Sequence, residues 1–191
     1  MSGFLVFAIL TVVAAFLVVP RLQTYVKDTA ESRNLNTYII YDSLHQVLPD
    51  WSDHYTAGDP ILYGILGLSF GYLALRGQWS TAATLAVWLL ALTVLKQLIN
   101  ALTILPEPSG LCSQRSYAWG SCNELMPSGH CLLAFFVLFY LFGRLPTWLW
   151  TLEAVGTAAL AFTTLAIRNH YTIDVVVSFL VAAFVSRYSL G

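Results

Sequence analysis

The sequence predicts an all-α integral membrane protein, a bundle of six transmembrane helices. Two observations carry that prediction. Of 191 residues, 58% are hydrophobic and only 10% are charged, where a soluble domain carries about 25% charged residues. Six apolar stretches also divide the chain, roughly 3–19, 60–75, 81–105, 128–145, 148–167 and 172–188. About 20 helical residues cross a bilayer's hydrocarbon core, within a range of about 17–25. Backbone in lipid must satisfy its own hydrogen bonds, so each stretch is expected as a helix. The chain, 1–191, is expected as a single membrane domain. Its formal net charge of −1, with no basic run, argues against a nucleic acid partner.

The first stretch reads as a span and not as a signal peptide. It has no basic flank before it, and its apolar run exceeds the usual 7–15 or so residues. The polar connection 20–59 follows. Within it Leu35, Tyr38, Ile39, Leu44 and Leu48 approximate a helical apolar stripe. A short interfacial helix and a plain ordered loop are both compatible with that pattern. In the second span Gly64, Gly67 and Gly71 are expected to admit a close neighbouring helix. That span is short and the third is long, which implies tilt or local thinning. Trp79, Trp148 and Trp150 fall at predicted helix ends, where interfacial aromatics belong.

Six spans put connections 20–59, 106–127 and 168–171 on one side. Basic residues do not orient the bundle: Arg21, Lys27, Arg33 and Arg115 lie on that side, and Arg76, Arg144 and Arg187 near the other. Cys112 and Cys122 share one connection, and Cys131 begins a span. Three free thiols are one reading. The other is a Cys112–Cys122 disulfide with Cys131 free, which needs an oxidising compartment. The second reading favours a lumenal or extracytoplasmic face for these connections. No Asn-x-Ser/Thr signal orients the chain further.

The chemistry-bearing residues gather on that same side. His170 and Asp174 are four apart, which on a helix is one face. A carboxylate on one imidazole nitrogen fixes the tautomer and sharpens the other as a nucleophile or base. Helix capping by the aspartate is the plainer role. In PSGH (127–130), Ser128 suits an N-cap, and Gly129 leaves backbone N–H groups open to an anion such as phosphate. His130 then occupies the first turn. Lys96 lies within the third span, where a charge is costly and usually functional. It is expected to point into a polar cavity or to snorkel towards the motif side. Arg168 either anchors the interface or clamps a phosphate beside His170. His45 and His54 stand apart and are expected at the surface or interface. No residues carry the spacing of a zinc or calcium site, so neither metal nor cofactor is expected. Together the set is equipment for phosphoryl transfer through a histidine. His170 attacks phosphorus, His130 protonates the leaving oxygen, and Lys96, Arg168 and the Ser128–Gly129 amides hold the developing charge.

PSGH, followed after one helix by HxxxD on a six-span chain, resembles the type 2 phosphatidic acid phosphatase superfamily. Within it the sequence looks most like the sphingomyelin synthase branch. LPEPSG (105–110) is similar to that branch's Leu-Pro-x-Pro-Gly stretch. Cys122 and Glu124 lie eight and six residues before His130, where the branch has Cys-Gly-Asp. HYTIDVVVS (170–178) resembles its last motif. The likeness covers roughly residues 90–180. It implies a metal-independent membrane enzyme of phospholipid or sphingolipid metabolism, with His130, His170 and Asp174 as catalytic triad. The sequence departs from the superfamily in lacking the Arg-Pro pair after Lys96, where Thr103 and Ile104 stand. Thr164 stands where the third motif normally has an arginine.

Two activities share these residues. A lipid phosphotransferase passes a phospho-head group from a phospholipid donor to a ceramide- or diacylglycerol-type acceptor, with Glu124 orienting a head group or acceptor amine. A lipid phosphate phosphatase, acting on phosphatidate or polyprenyl diphosphate, uses water instead. A catalytically silent lipid-binding protein is the third reading, and the intact His130, His170 and Asp174 argue against it.

Overall fold

The computed structural model describes residues 2–38, 40–112 and 123–189. Among them every regular element is helical: α1 (Ser2–Leu17), α2 (Val19–Ser32), α3 (Gly58–Leu75), α4 (Trp79–Leu102), α5 (Gly129–Tyr140), α6 (Thr147–Ala166) and α7 (Thr172–Ser189), with three short 3-10 turns. Ile39, Arg115 and Cys122 lie outside the described residues. The all-α membrane bundle expected from the sequence is the fold observed.

α1 and α2 form one nearly continuous helical rod. Pro20 has no N–H to give the carbonyl four residues back, which accounts for the break at Val18. The rod counts 30 residues over Gly3–Ser32, about 45 Å at 1.5 Å per residue. A hydrocarbon core is about 30 Å thick, so much of the polar α2 stands beyond it. Val26 and Ala30, four apart, are its buried face, and α2 packs on α4. The polar connection therefore begins as helix. The apolar stripe beyond it does not continue as one: Leu35–Thr37, Leu44–Gln46 and Ser52–His54 are single 3-10 turns. Asp42 and Asp50 explain this locally, because each carboxylate accepts from the backbone N–H two residues on, at Leu44 (2.9 Å) and Ser52 (3.0 Å). Such Asx turns compete with helix.

α5 is shorter than the span expected at 128–145. Its 12 residues continue as hydrogen-bonded turns to Leu145. It can be short because it is the centre of the bundle: α3, α4, α6 and α7 all pack on it. Phe136, Val137, Leu132 and Tyr140 are buried there with Leu73, Leu85, Leu92 and Leu160. The other long helices turn large apolar side chains outward, among them Leu10, Leu75, Leu102, Val155 and Phe184. In water such a surface would be an interaction patch; on five helices long and apolar enough to cross a membrane it is the lipid-facing surface.

The glycines of α3 do not play the expected role. Nothing approaches within 4 Å of a Cβ built at Gly64, Gly67 or Gly71. The close α3–α6 contact is made from the other helix, where a Cβ built at Gly156 would lie 3.4 Å from Ile65 Cγ1.

The connections do share a side. The Trp51 N–H donates to the Ala166 carbonyl (2.8 Å), the Tyr171 hydroxyl donates to the Pro106 carbonyl (3.0 Å), and the Trp51 ring meets Phe162 edge-on. Asp42 receives both the backbone N–H and the hydroxyl of Thr172 at the start of α7. Burial tends to raise its carboxyl, but the hydrogen bonds from Thr172 and Leu44, with His45 nearby, hold it below the usual carboxylate value. A depressed carboxylate stabilises the fold above its unfolded pKa of about 3.9, and that contribution disappears as pH falls through the lower folded value. Asp42→Asn should thus lower stability by about 1 kcal/mol at neutral pH. Thermal unfolding of the two proteins should converge below about pH 4; a pH-independent gap would contradict the assignment.

Candidate active site

A cleft of about 730 Å³ lies between α1 and α3, floored by α4 and α5. Lys96, Gln97, Asp59, Glu124, Gly129, His130, Asn169 and His170 line its end nearest the connections. Leu62, Leu66, Leu90 and Leu133 line the rest. Phe16 and Tyr63, 75% and 58% exposed, stand on its rim.

The HxxxD motif is not arranged along one helix face. His170 sits in the turn before α7, and Asp174 is in that helix's first turn. Asp174 Oδ2 accepts from the Tyr171 N–H at 2.8 Å, the return half of a capping box. The same oxygen lies 3.5 Å from His170 Nδ1, at the outer limit of a hydrogen bond. The carboxylate caps the helix, and His170 Nδ1 lies beside it without a hydrogen bond. Asp174 is fully buried. Tyr171 is buried beside it, which pushes its phenol up to about 12; it stays protonated and keeps its bond to Pro106.

Ser128 is the N-cap of α5, its hydroxyl accepting from the Cys131 N–H at 3.5 Å. Its own carbonyl accepts from the Ser178 hydroxyl on α7 (3.0 Å), and its N–H donates to the Asp174 carbonyl (3.4 Å). These bonds tie the two histidine motifs together. Ser128 is buried behind the cleft, and Gly129 and His130 face it. A Cβ at Gly129 would come within 3.3 Å of Lys96 Cε, so the glycine leaves room for the lysine. Lys96 Nζ lies 3.2 Å from Glu124 Oε2, which also accepts from Gln97 Nε2. A buried charge inside the bundle is thereby matched by a buried partner.

Asp59 was not foreseen. Its Oδ1 lies 2.6 Å from His130 Nε2. A carboxylate accepts, so Nε2 carries the proton. His130 thus presents its Nε2 proton to Asp59 at the cleft. The only local signal for Asp59 is its place beside Pro60 at the start of a span.

Arg168 departs from the phosphate-clamp expectation. It stands at φ 54°, the left-handed residue of a Schellman turn: the Arg168 N–H donates to Leu165 and the Asn169 N–H to Thr164. The turn aims its side chain at the first connection. Nη2 donates to the His45 carbonyl (2.9 Å) and Nε pairs with Asp50 (2.8 Å). It lines a separate cavity of about 260 Å³ with Tyr41, Asp42 and His45. Asn169 faces the main cleft in its place. His45, expected at the surface or interface, is buried against the same turn, its Nε2 3.0 Å from the His170 carbonyl. Cys112 is disulfide-bonded, and Cys131 is free and buried.

Residues 121–189 match the family model described as PAP2 superfamily C-terminal. No curated protein matches the chain, and no solved structure does. The matched segment contains Glu124, Ser128, Gly129, His130, Arg168, His170 and Asp174; Asp59 and Lys96 lie before it. The match supports the type 2 phosphatidic acid phosphatase superfamily and, with it, lipid phosphatase or phosphotransferase chemistry in general.

Proposed function

We propose that the chain is a lipid phosphotransferase that moves a phospho-head group from a phospholipid to the hydroxyl of a ceramide- or diacylglycerol-type lipid, as in the sphingomyelin synthase branch it resembles. The cleft carries this reading. One end bears two histidines, each beside a carboxylate, and the Lys96–Glu124 pair; the remainder is mostly apolar, with Gln23 and Thr93 among its leucines. A phospholipid has the same polarity along its length.

In the first step His170 Nε2 attacks phosphorus. The P–N bond forms, the P–O bond to diacylglycerol breaks, and His130, acting as the imidazolium, gives its Nε2 proton to the leaving oxygen and becomes neutral. In the second, the acceptor hydroxyl attacks phosphorus and gives its proton to His130. The new P–O bond forms, the P–N bond breaks, and His170 is regenerated. Asp174 offsets the positive charge that His170 carries between the steps. Lys96 and the N-terminus of α5 face the charge developing on the phosphoryl oxygens. Asp59 yields its place at His130 to the leaving oxygen. Glu124, nearly inaccessible and bonded to Lys96 and Gln97, holds that lysine in place, which does not favour the head-group role expected for it. The apolar lining supports a lipid acceptor over water. The Cys112 disulfide supports a lumenal or extracytoplasmic face.

The test uses protein in liposomes containing mixed phospholipids with fluorescent ceramide and fluorescent diacylglycerol. Chromatography should reveal a new head-group-bearing lipid, and EDTA should leave its rate unchanged. Phospho-alcohol or phosphate released without a new lipid would replace transfer by hydrolysis. Strong inhibition by EDTA would overturn the histidine-only mechanism.

A further inference from the structure

We infer that His45 is a positioning residue for His170, a role that rests on His170 acting as proposed above. The turn that carries His170 is held from outside by the first connection. Trp51 binds the carbonyl of Ala166, His45 and Asp50 bind Arg168, Tyr55 accepts from Asn169 Nδ2 (2.7 Å), and Asp42 binds Thr172. His45 is the member of this set that reaches His170 itself. A carbonyl only accepts, so His45 Nε2 carries a proton and donates to the His170 oxygen across 3.0 Å. The imidazole is fixed in turn: it stacks on the Tyr171 ring at 6.0 Å and 26°, and its own carbonyl accepts from Arg168. The partners lie 125 positions apart in the chain, and this bond is the one among these contacts between the two segments that ends on His170.

The coupling matters because the His170–Asp174 pair does not hold itself. At 3.5 Å that contact is slack, and the carboxylate is already engaged by the Tyr171 N–H. The direction of the His170 ring therefore depends on its backbone. Pinning its carbonyl fixes the peptide plane that leads into Tyr171 and the capping turn. The bond does not reach the substrate, so losing it should misalign the nucleophile and leave substrate binding intact. A misplacement of about 1 Å can cost about 100-fold in rate.

Two variants separate this role from simple space filling. His45→Phe keeps a ring against Tyr171 and deletes the donor; His45→Gln restores an N–H donor and deletes the ring. In the liposome assay, kcat of the phenylalanine variant should fall about 10–30-fold with KM within about two-fold. The glutamine variant should recover to within about three-fold of the parent. A phenylalanine variant with parental kcat, or a glutamine variant no better than it, overturns the inference. His170→Ala, run alongside, tests the nucleophile independently: if it too is fully active, the proposed function fails first. The His170 ring signals in 1H–15N spectra of histidine-labelled protein give a readout that needs no substrate. They should move in His45→Phe and return in His45→Gln; signals unmoved in His45→Phe also overturn the inference.

Discussion

His170→Ala is expected to lower turnover by at least about 10⁴-fold, because it removes the proposed nucleophile. The fold should tolerate the change: His170 lies in a turn, and its backbone bond to His45 survives truncation. Unfolding temperature should stay within a few degrees of the parent. The matching positive experiment supplies head-group-labelled phospholipid without acceptor and quenches within one turnover. Label should be found on His170, stable to base and released by acid, as a phosphoramidate behaves. An alanine variant with a tenth of parental activity would mean that water or the acceptor attacks directly.

The second large effect concerns Lys96 and Glu124. Glu124 is nearly inaccessible, and Lys96 is held beside it at 3.2 Å. Removing one member of a buried pair leaves the other charged and unmatched, at a cost of about 3–5 kcal/mol. Lys96 borders the cleft, where water can reach, so the lower end, about 3 kcal/mol, is expected for either Lys96→Met or Glu124→Leu. The double variant should recover most of that loss in thermal unfolding, since no charge is then stranded. Turnover should not recover with it, because the cation proposed to face the phosphoryl oxygens is gone. Full activity in the double variant would make the pair structural only.

The helices were legible because an apolar run of span length has few alternatives in lipid. Boundaries from the sequence and from the structure agree within about three residues for α3, α4, α6 and α7. α2 was missed because polar composition and Pro20 look like the end of a helix, although a proline in the first turn is tolerated. Ser128 was legible as an N-cap because capping is local, whereas the HxxxD spacing suggested one helix face and His170 lies in the turn before α7. The site was illegible where partners are distant. Asp59 meets His130 across 71 positions and His45 meets His170 across 125, and no spacing rule spans such gaps. Arg168 shows the converse error. Two residues from His170 in sequence, it is turned away by the left-handed residue that ends α6.

For the lipid substrate proposed above, the exposed rim of the cleft at Phe16 and Tyr63 changes what concentration means. A substrate that enters sideways from the leaflet never becomes a free solute. Collision frequency then follows the number of substrate molecules per unit of membrane area, and adding more vesicles of the same composition leaves each protein's turnover unchanged. Diluting the substrate with inert lipid, at constant bulk amount, slows it. Product likewise departs into two dimensions, where lateral diffusion must carry it off before the next donor can enter.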